Sequence, residues 1–575
     1  MTRIAVCSHP VRRHTVRMNR VGLALSVVSL LNIASMPMKA YISEYLPWRA
    51  PPTVPDTYAN YSDFNAQKLA FNGALYNNET LSRGATYLTD TVHDIQVMRY
   101  VLFPALVAPI SRDNCLSQFL VGLPGLVFFT PAQMDYLCHL VEATNATTPV
   151  GVESGSCFRN TQLTLEIGTI CLWVTRGDAV YGSNDSLALT YSFVYNAPRY
   201  CTWLWCKFAY RVFTTGIVIR RLWSQYYRHI VHLRQRLVLE SHVATPRRDR
   251  WRYELVLGDP TAIILLDAWV ALAFVVDIWL STANVGIAVL RASQNSDIVV
   301  NLLNILYLSR TVWFGYFGLC MTAHLLRRYE AQHLFDEVDP TMVAIGVTVF
   351  GPLISWLSGN WAPLASVYHW LFSVLVPYEQ KSEKDEIFLA CVFYTFCIAS
   401  LPVGYGFVAA SVRHRAFPML KYCKIGVGPR LRAIDYSSYV YNTVKNRLLL
   451  SLVRSFRDPS AMPSRGGSIY ELFRRNANYK TSATLSLCGA DCYLLCYDGD
   501  DVLTEKLRLS LLSSLSQNGR TTLIAESRTA SPYIFNALEM QLPDVLRSRS
   551  SKVRVQGEVA FVAIQRPLAP SPWCL

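Results

Sequence analysis

The chain has 575 residues, 51% of them apolar and only 16% charged, against about a quarter charged in a typical soluble domain. Its mean hydropathy is +0.21, and a length prior of roughly 150 residues per unit suggests three or four units. The net charge of +14 is spread in a way that argues against a nucleic-acid footprint. Residues 41–199 carry 8 Lys/Arg against 13 Asp/Glu, 220–259 carry nine arginines against four acids, and 412–575 carry 23 basic against 12 acidic residues. Basic segments beside apolar runs, with an acidic stretch between them, follow the positive-inside bias of membrane proteins.

The N-terminal segment 1–20 is basic (Arg3, Arg12, Arg13, Arg17, Arg20) and precedes the apolar run Val21–Met36, which stops at Pro37. Met38-Lys39-Ala40 is a poor small-x-small cleavage site, so 21–40 reads as a signal-anchor rather than a signal peptide. Either reading sends residue 41 onward to the lumenal or extracellular side.

Residues 41–200 read as an ectodomain. All four N-x-Ser/Thr acceptor sites of the chain, Asn60, Asn78, Asn145 and Asn184, fall inside it, and glycan addition happens only on the lumenal side. Cys115, Cys138, Cys157 and Cys171 form an even set suited to two disulfides in three alternative pairings. Alternation over Thr161–Thr175 and Leu187–Val194 predicts strands, and so an α/β or β-rich module.

The run Cys201–Ile219 is a weak second span, because Lys207 and Arg211 sit near its centre. At i and i+4 they share one helix face. Each costs about 2.5–3.5 kcal/mol at mid-bilayer unless partnered. The Arg-rich stretch 220–259 reads as a cytosolic loop. In 260–411 a transmembrane bundle is expected, with spans at 261–280, 299–326, 340–357 and 386–411. The 14-residue apolar piece 363–376 is short enough to be re-entrant. Parity then makes about six spans with both termini cytosolic. It leaves 379–386 as a polar outer loop, while the loop 327–339 is of mixed charge.

Charges inside apolar segments are the leading site candidates. Asp267, Asp277 and Arg310 join Lys207 and Arg211 in this set. An aspartate pairing with Arg310 would dock two helices; an ion or proton path is the competing reading. His324 falls near the end of its span.

The juxtamembrane segment 412–457 is basic, with helical apolar spacing over Tyr439–Phe456 suited to anionic lipid headgroups. A cytosolic α+β domain is expected over 458–575, with a helix at Glu505–Leu515 and strands near 521–525 and 553–564. Cys488, Cys492 and Cys496 lack zinc-ribbon spacing and read as buried small hydrophobes. Asp498-Gly499-Asp500-Asp501 reads as a turn. No metal site, cofactor site or catalytic residue is indicated: Gly-x-Ser-x-Gly, Walker, His-Glu-x-x-His and Gly-x-Gly-x-x-Gly motifs are all lacking.

The layout of one span, a large glycosylated loop, then five spans with a re-entrant piece between the last two is similar to that of polycystin and mucolipin channels. That resemblance implies a pore helix at 363–376 and a homo-oligomer, although Ser355–Tyr378 lacks their Gly-Asp filter signature. Expected overall is a multi-pass glycoprotein of the plasma or a secretory or endosomal membrane. Its expected role is interaction or sensing, with the bilayer itself as partner and no nucleic acid. The alternative is an ion channel or transporter using 260–411.

Overall fold

The computed structural model describes residues 15–49, 58–102, 115–139, 151–242, 252–294, 297–375, 384–422, 451–453, 482, 484–486, 491–510, 526–527, 551–556 and 559–564, except 122, 124–128, 131–132, 164, 179, 183–187, 198–199 and 499. The strands in chain order are β1 (Thr15–Met18), β2 (Tyr87–Asp90), β3 (Ile95–Leu102), β4 (Ser156–Gln162), β5 (Leu165–Arg176), β6 (Leu189–Asn196) and β7 (Arg252–Leu257). Then come β8 (Lys384–Glu386), β9 (Asp491–Tyr497), β10 (Leu503–Ser510), β11 (Glu526–Ser527), β12 (Ser551–Gln556) and β13 (Val559–Ile564). The helices that matter for the site are α1 (Arg20–Ala34), α2 (Tyr61–Leu75), α3 (Cys201–Leu222), α4 (Arg228–His242), α5 (Ala262–Leu265), α6 (Ala268–Trp279) and α7 (Thr282–Gln294). They continue with α8 (Ile298–Leu308), α9 (Val312–Arg328), α10 (Pro340–Asn360), α11 (Ala362–Leu375) and α12 (Phe388–Tyr422).

Two sheets flank the helical part. The six-stranded one has the order β2-β3-β6-β5-β4-β8, antiparallel throughout except for the β4–β8 pair. Period-two alternation gives it two buried faces. Leu172, Val174, Tyr191 and Phe193 pack with Phe119, Phe129 and the disulfide partners Cys115 and Cys138 on one side. Val97, Cys171, Trp173 and Val194 pack under Phe64 and Leu69 of α2 on the other. The first face also receives Ile287 and Leu290 of α7 and Ala365 of α11. The sheet therefore sits directly against helix ends.

The four-stranded sheet has the order β1-β7-β9-β10. Leu255, Leu257, Cys492, Leu494, Cys496 and Leu509 face Ile230, Leu233 and Leu237 of α4. Asn19 ties this sheet to α1: its side-chain amide donates to Glu254 Oε1 (2.6 Å) while its oxygen caps the helix at Gly22. A small sheet, β11-β13-β12, completes the set.

The helices correct the sequence reading. A six-span bundle is overturned: two described helical stretches, Ile298–Arg328 and Phe388–Val412, are long and apolar enough to cross a membrane. A third qualifies only if α6 and α7, bent by 72°, count as one. The physical reasons are local. α1 has only 15 residues, short of the roughly 20 needed. α3 carries Lys207, Arg211, Arg220 and Arg221. The run expected at 261–280 breaks at Asp267, which N-caps α6 with its side chain, and the apolar described part of α10 ends at Phe350. The channel-like layout falls with the six spans. The piece 363–376 is the helix α11, whose Ala365 joins the core of the six-stranded sheet.

The tail also differs. The helix expected at 505–515 gives way to β10, whose Leu509 reaches the same core as Cys492 and Cys496 on β9. Leu507 and Leu509 keep the period of two that suits a strand, with Lys506 and Arg508 at the alternate positions. Asp498 does make the expected turn, accepting from Asp500 N and Val502 N. The basic helix expected at 439–456 lies outside the described residues apart from 451–453, as do Cys423, Cys488 and Cys574.

One close approach tests this packing. A Cβ on Gly406 of α12 would run into the Phe335 ring, while Asp336 N donates to Gly406 O (3.1 Å). Gly406→Ala is expected to destabilise the purified protein by about 1–3 kcal/mol through overpacking. Adding Phe335→Leu should recover part of that loss in thermal unfolding; no loss in Gly406→Ala would refute the contact.

Candidate functional site

The largest network of buried ion pairs among the described residues is a five-residue charge cluster within the helical layer. Glu44 stands at its centre, following a 3-10 turn (Pro37–Ile42) and fixed by its backbone N–H to Ala40 O (3.0 Å). Its Oε2 accepts from Lys207 Nζ at 2.9 Å. Its Oε1 accepts from Arg211 Nη2 at 2.9 Å, from the Tyr307 hydroxyl at 2.8 Å and from Arg310 Nη1 at 3.5 Å. Asp277 takes the remaining guanidinium edges: Arg211 Nε at 2.7 Å and, closely, Arg310 Nη2. Arg211 Nη2 also donates to Ser281 Oγ at 2.7 Å. The Arg211 guanidinium lies 4.9 Å from the Tyr41 ring centroid and that of Arg310 5.1 Å from the Tyr307 ring centroid.

All of these charges are buried; Glu44, the most exposed of the five, retains 6%. Removing ions from water costs several kcal/mol each, offset only by good geometry and full hydrogen bonding. The cluster meets that condition at the carboxylates, where all four oxygens are occupied. It also brings together elements far apart in the chain: the turn after α1, the middle of α3, the end of α6 and the 3-10 turn between α8 and α9.

Four of the five charged candidates read from the sequence, Lys207, Arg211, Asp277 and Arg310, meet here. The pairing of Asp277 with Arg310 and the shared face of Lys207 and Arg211 are both present. Asp267 does not join them: it caps α6 and reaches Arg221 at 3.3 Å in a partly exposed pair. His324 is exposed. Glu44 escaped the sequence reading because it was assigned to the outer module. A signal existed: two cations at i, i+4 on an apolar helix lacked a counter-ion, and Glu44 is the first acidic residue of the chain.

In the six-stranded module, Cys115 bonds Cys138 and Cys157 bonds Cys171, the latter pair directly opposite on β4 and β5. Asn60 and Asn78 are exposed; Asn145 and Asn184 lie outside the described residues. A triad formed by the buried Tyr76, Asp90 and the exposed His93 closes the β2–β3 turn. Burial pushes the Asp90 carboxyl up, but hydrogen bonds from the His93 ring and backbone, Tyr76 and Val92 outweigh it and hold the group at about 2. That support is complete above the ordinary carboxylate range and is lost as pH falls through about 2. No group of His, Cys, Asp and Glu among the described residues is arranged to hold a metal ion.

Glu44→Gln is expected to destabilise the protein by about 3–5 kcal/mol, because three cations lose their shared carboxylate. Asp267→Asn keeps the cap and gives up a partly exposed pair, so about 0.5 kcal/mol or less is expected. Chemical denaturation in detergent micelles distinguishes the two, and equal effects would contradict the assignment of Glu44 as the hub. Comparison with protein-family models, with curated proteins and with solved structures finds no match to this chain.

Proposed function

We propose that the chain is a membrane-resident interaction or sensing protein, with a glycosylated, disulfide-bonded outer module, an inner basic part that meets anionic lipid, and a helical layer joined by the buried charge cluster. The observation that carries this reading is the sorting of segments between the two large sheets. The six-stranded sheet draws only on segments expected outside, 87–196 and 384–386; the four-stranded sheet draws only on segments expected inside, 15–18, 252–257 and 491–510. Val338, in the loop 327–339, bridges Leu485 of the tail. Among the described strands no pair mixes the two sets.

Surface chemistry supports the same placement. Leu302, Leu303 and Leu306 on α8 and Phe396 and Val408 on α12 expose large apolar side chains. Trp205 and Trp223 are both about half exposed on one continuous helical run. Eighteen residues at 1.5 Å separate them by about 27 Å, close to the hydrocarbon thickness between two aromatic belts. On the outer module, Leu163 and Leu165 stand exposed at the β4–β5 hairpin, which suits contact with a partner. The transport alternative has the buried cluster in its favour. A cation path is poorly served by it, since every carboxylate oxygen there already accepts from a cation or a hydroxyl.

The sidedness is tested in cells. Deglycosylation should increase gel mobility, and Asn60→Gln with Asn78→Gln should reduce that increase. Without reductant, Cys115, Cys138, Cys157 and Cys171 should resist thiol labelling while denaturation makes Cys492 and Cys496 reactive. A C-terminal tag accessible in intact cells, or unchanged mobility after deglycosylation, would overturn the placement.

A further inference from the structure

The charge cluster does not balance. Lys207, Arg211 and Arg310 supply three positive charges and Glu44 and Asp277 two negative ones, and no further carboxylate pairs with them among the described residues. An excess cation at this depth is costly unless it is neutralised or compensated. The hydrogen bonds are unbalanced in the same sense. Arg211, which is 0% exposed, has a third guanidinium nitrogen, Nη1, that is buried without a partner. A guanidinium N–H only donates, so the missing partner is an acceptor.

Three further buried hydroxyls without partners belong to the same elements: Thr215 Oγ1, one turn along α3 from Arg211, Ser43 Oγ, next to Glu44 in sequence, and Tyr41 Oη, whose ring centroid lies 4.9 Å from the Arg211 guanidinium. Residues at i and i+4 stand on one helix face, so Thr215 shares the face of α3 that carries Arg211. The two carboxylates meet Arg211 through Nε and Nη2 and make no bond to Nη1. A surplus positive charge and an orphaned donor inside one low-dielectric cluster define a guest of opposite sign. We propose that this cluster is an anion-binding site for a small monovalent anion of the chloride class, with Arg211 Nη1 as its principal donor and Thr215 and Ser43 as auxiliary ones. The inference is independent of what the outer module recognises.

The test uses the purified full-length protein in detergent micelles, with thermal unfolding followed in sodium chloride and in sodium gluconate at equal ionic strength. Chloride should raise the midpoint of unfolding saturably and gluconate should not, with bromide acting like chloride. Thr215→Val and Ser43→Ala leave every ion pair intact and should each weaken the chloride midpoint concentration by about tenfold, the value of one hydrogen bond to a charged acceptor. Lys207→Met brings the cluster to charge balance and should abolish the chloride dependence, while Asp267→Asn should retain it. Equal midpoints in chloride and gluconate would overturn the site and leave a neutral Lys207 as the answer to the imbalance. Undiminished chloride dependence in Lys207→Met, or in both hydroxyl variants, would place any anion elsewhere.

Discussion

One carboxylate organises the helical layer. Glu44 is the only described group that touches Lys207, Arg211, Arg310 and Tyr307 together. Without it α3 would carry two charges one turn apart on a buried face with only Asp277 to answer them. Such an interaction fixes more than energy. Bidentate and shared guanidinium contacts are geometrically demanding, so the rotation of α3, the bend between α6 and α7 and the turn between α8 and α9 are set relative to the chain just after α1. Around this point the packing is apolar and tight: Phe274 stacks on Trp313 with centroids 3.9 Å apart, and Gly318 admits Ala399 into van der Waals contact.

Much of this was legible in residue types and spacing, and the misses have physical causes. The pair Lys207–Arg211 at i, i+4 announced a buried polar face, and Asp277 with Arg310 offered partners in neighbouring apolar runs. The alternation over Thr161–Thr175 and Leu187–Val194 overlaps the strands β5 and β6. Glu44 stayed hidden because a counter-ion supplied from 163 positions away leaves no local trace. The break at Asp267 was misjudged for a related reason. An aspartate in an apolar run reads as an intramembrane charge, yet it also reads as an N-cap, and here its side chain accepts from Trp269 N and Val270 N.

The overestimate of spans came from treating every apolar run near 18–20 residues as lipid-facing. Several of these runs are apolar because they pack on protein. α6 buries Val270, Ala271, Phe274, Val275 and Ile278, and α11 contributes Ala365 to a sheet core rather than to a pore. Mean apolarity does not say what covers a helix. The contrast with α12 is instructive: its apolar window is only 11% buried, whereas that of Ile298–Arg328 is 39% buried. Helices of one composition thus divide into those that face the surroundings and those that line a core.

The three-residue strand β8 has a consequence for biosynthesis. It adds to the free edge of β4 through Arg159–Lys384, Asn160–Asp385 and Thr161–Glu386, and Glu386 also accepts from Leu163 N (2.9 Å). A ribosome delivers that strand more than 220 positions after its partner. During this interval the edge is open, and open edges recruit other chains. That last strand makes completion of the six-stranded sheet conditional on the intervening helices having brought the polypeptide back to its edge.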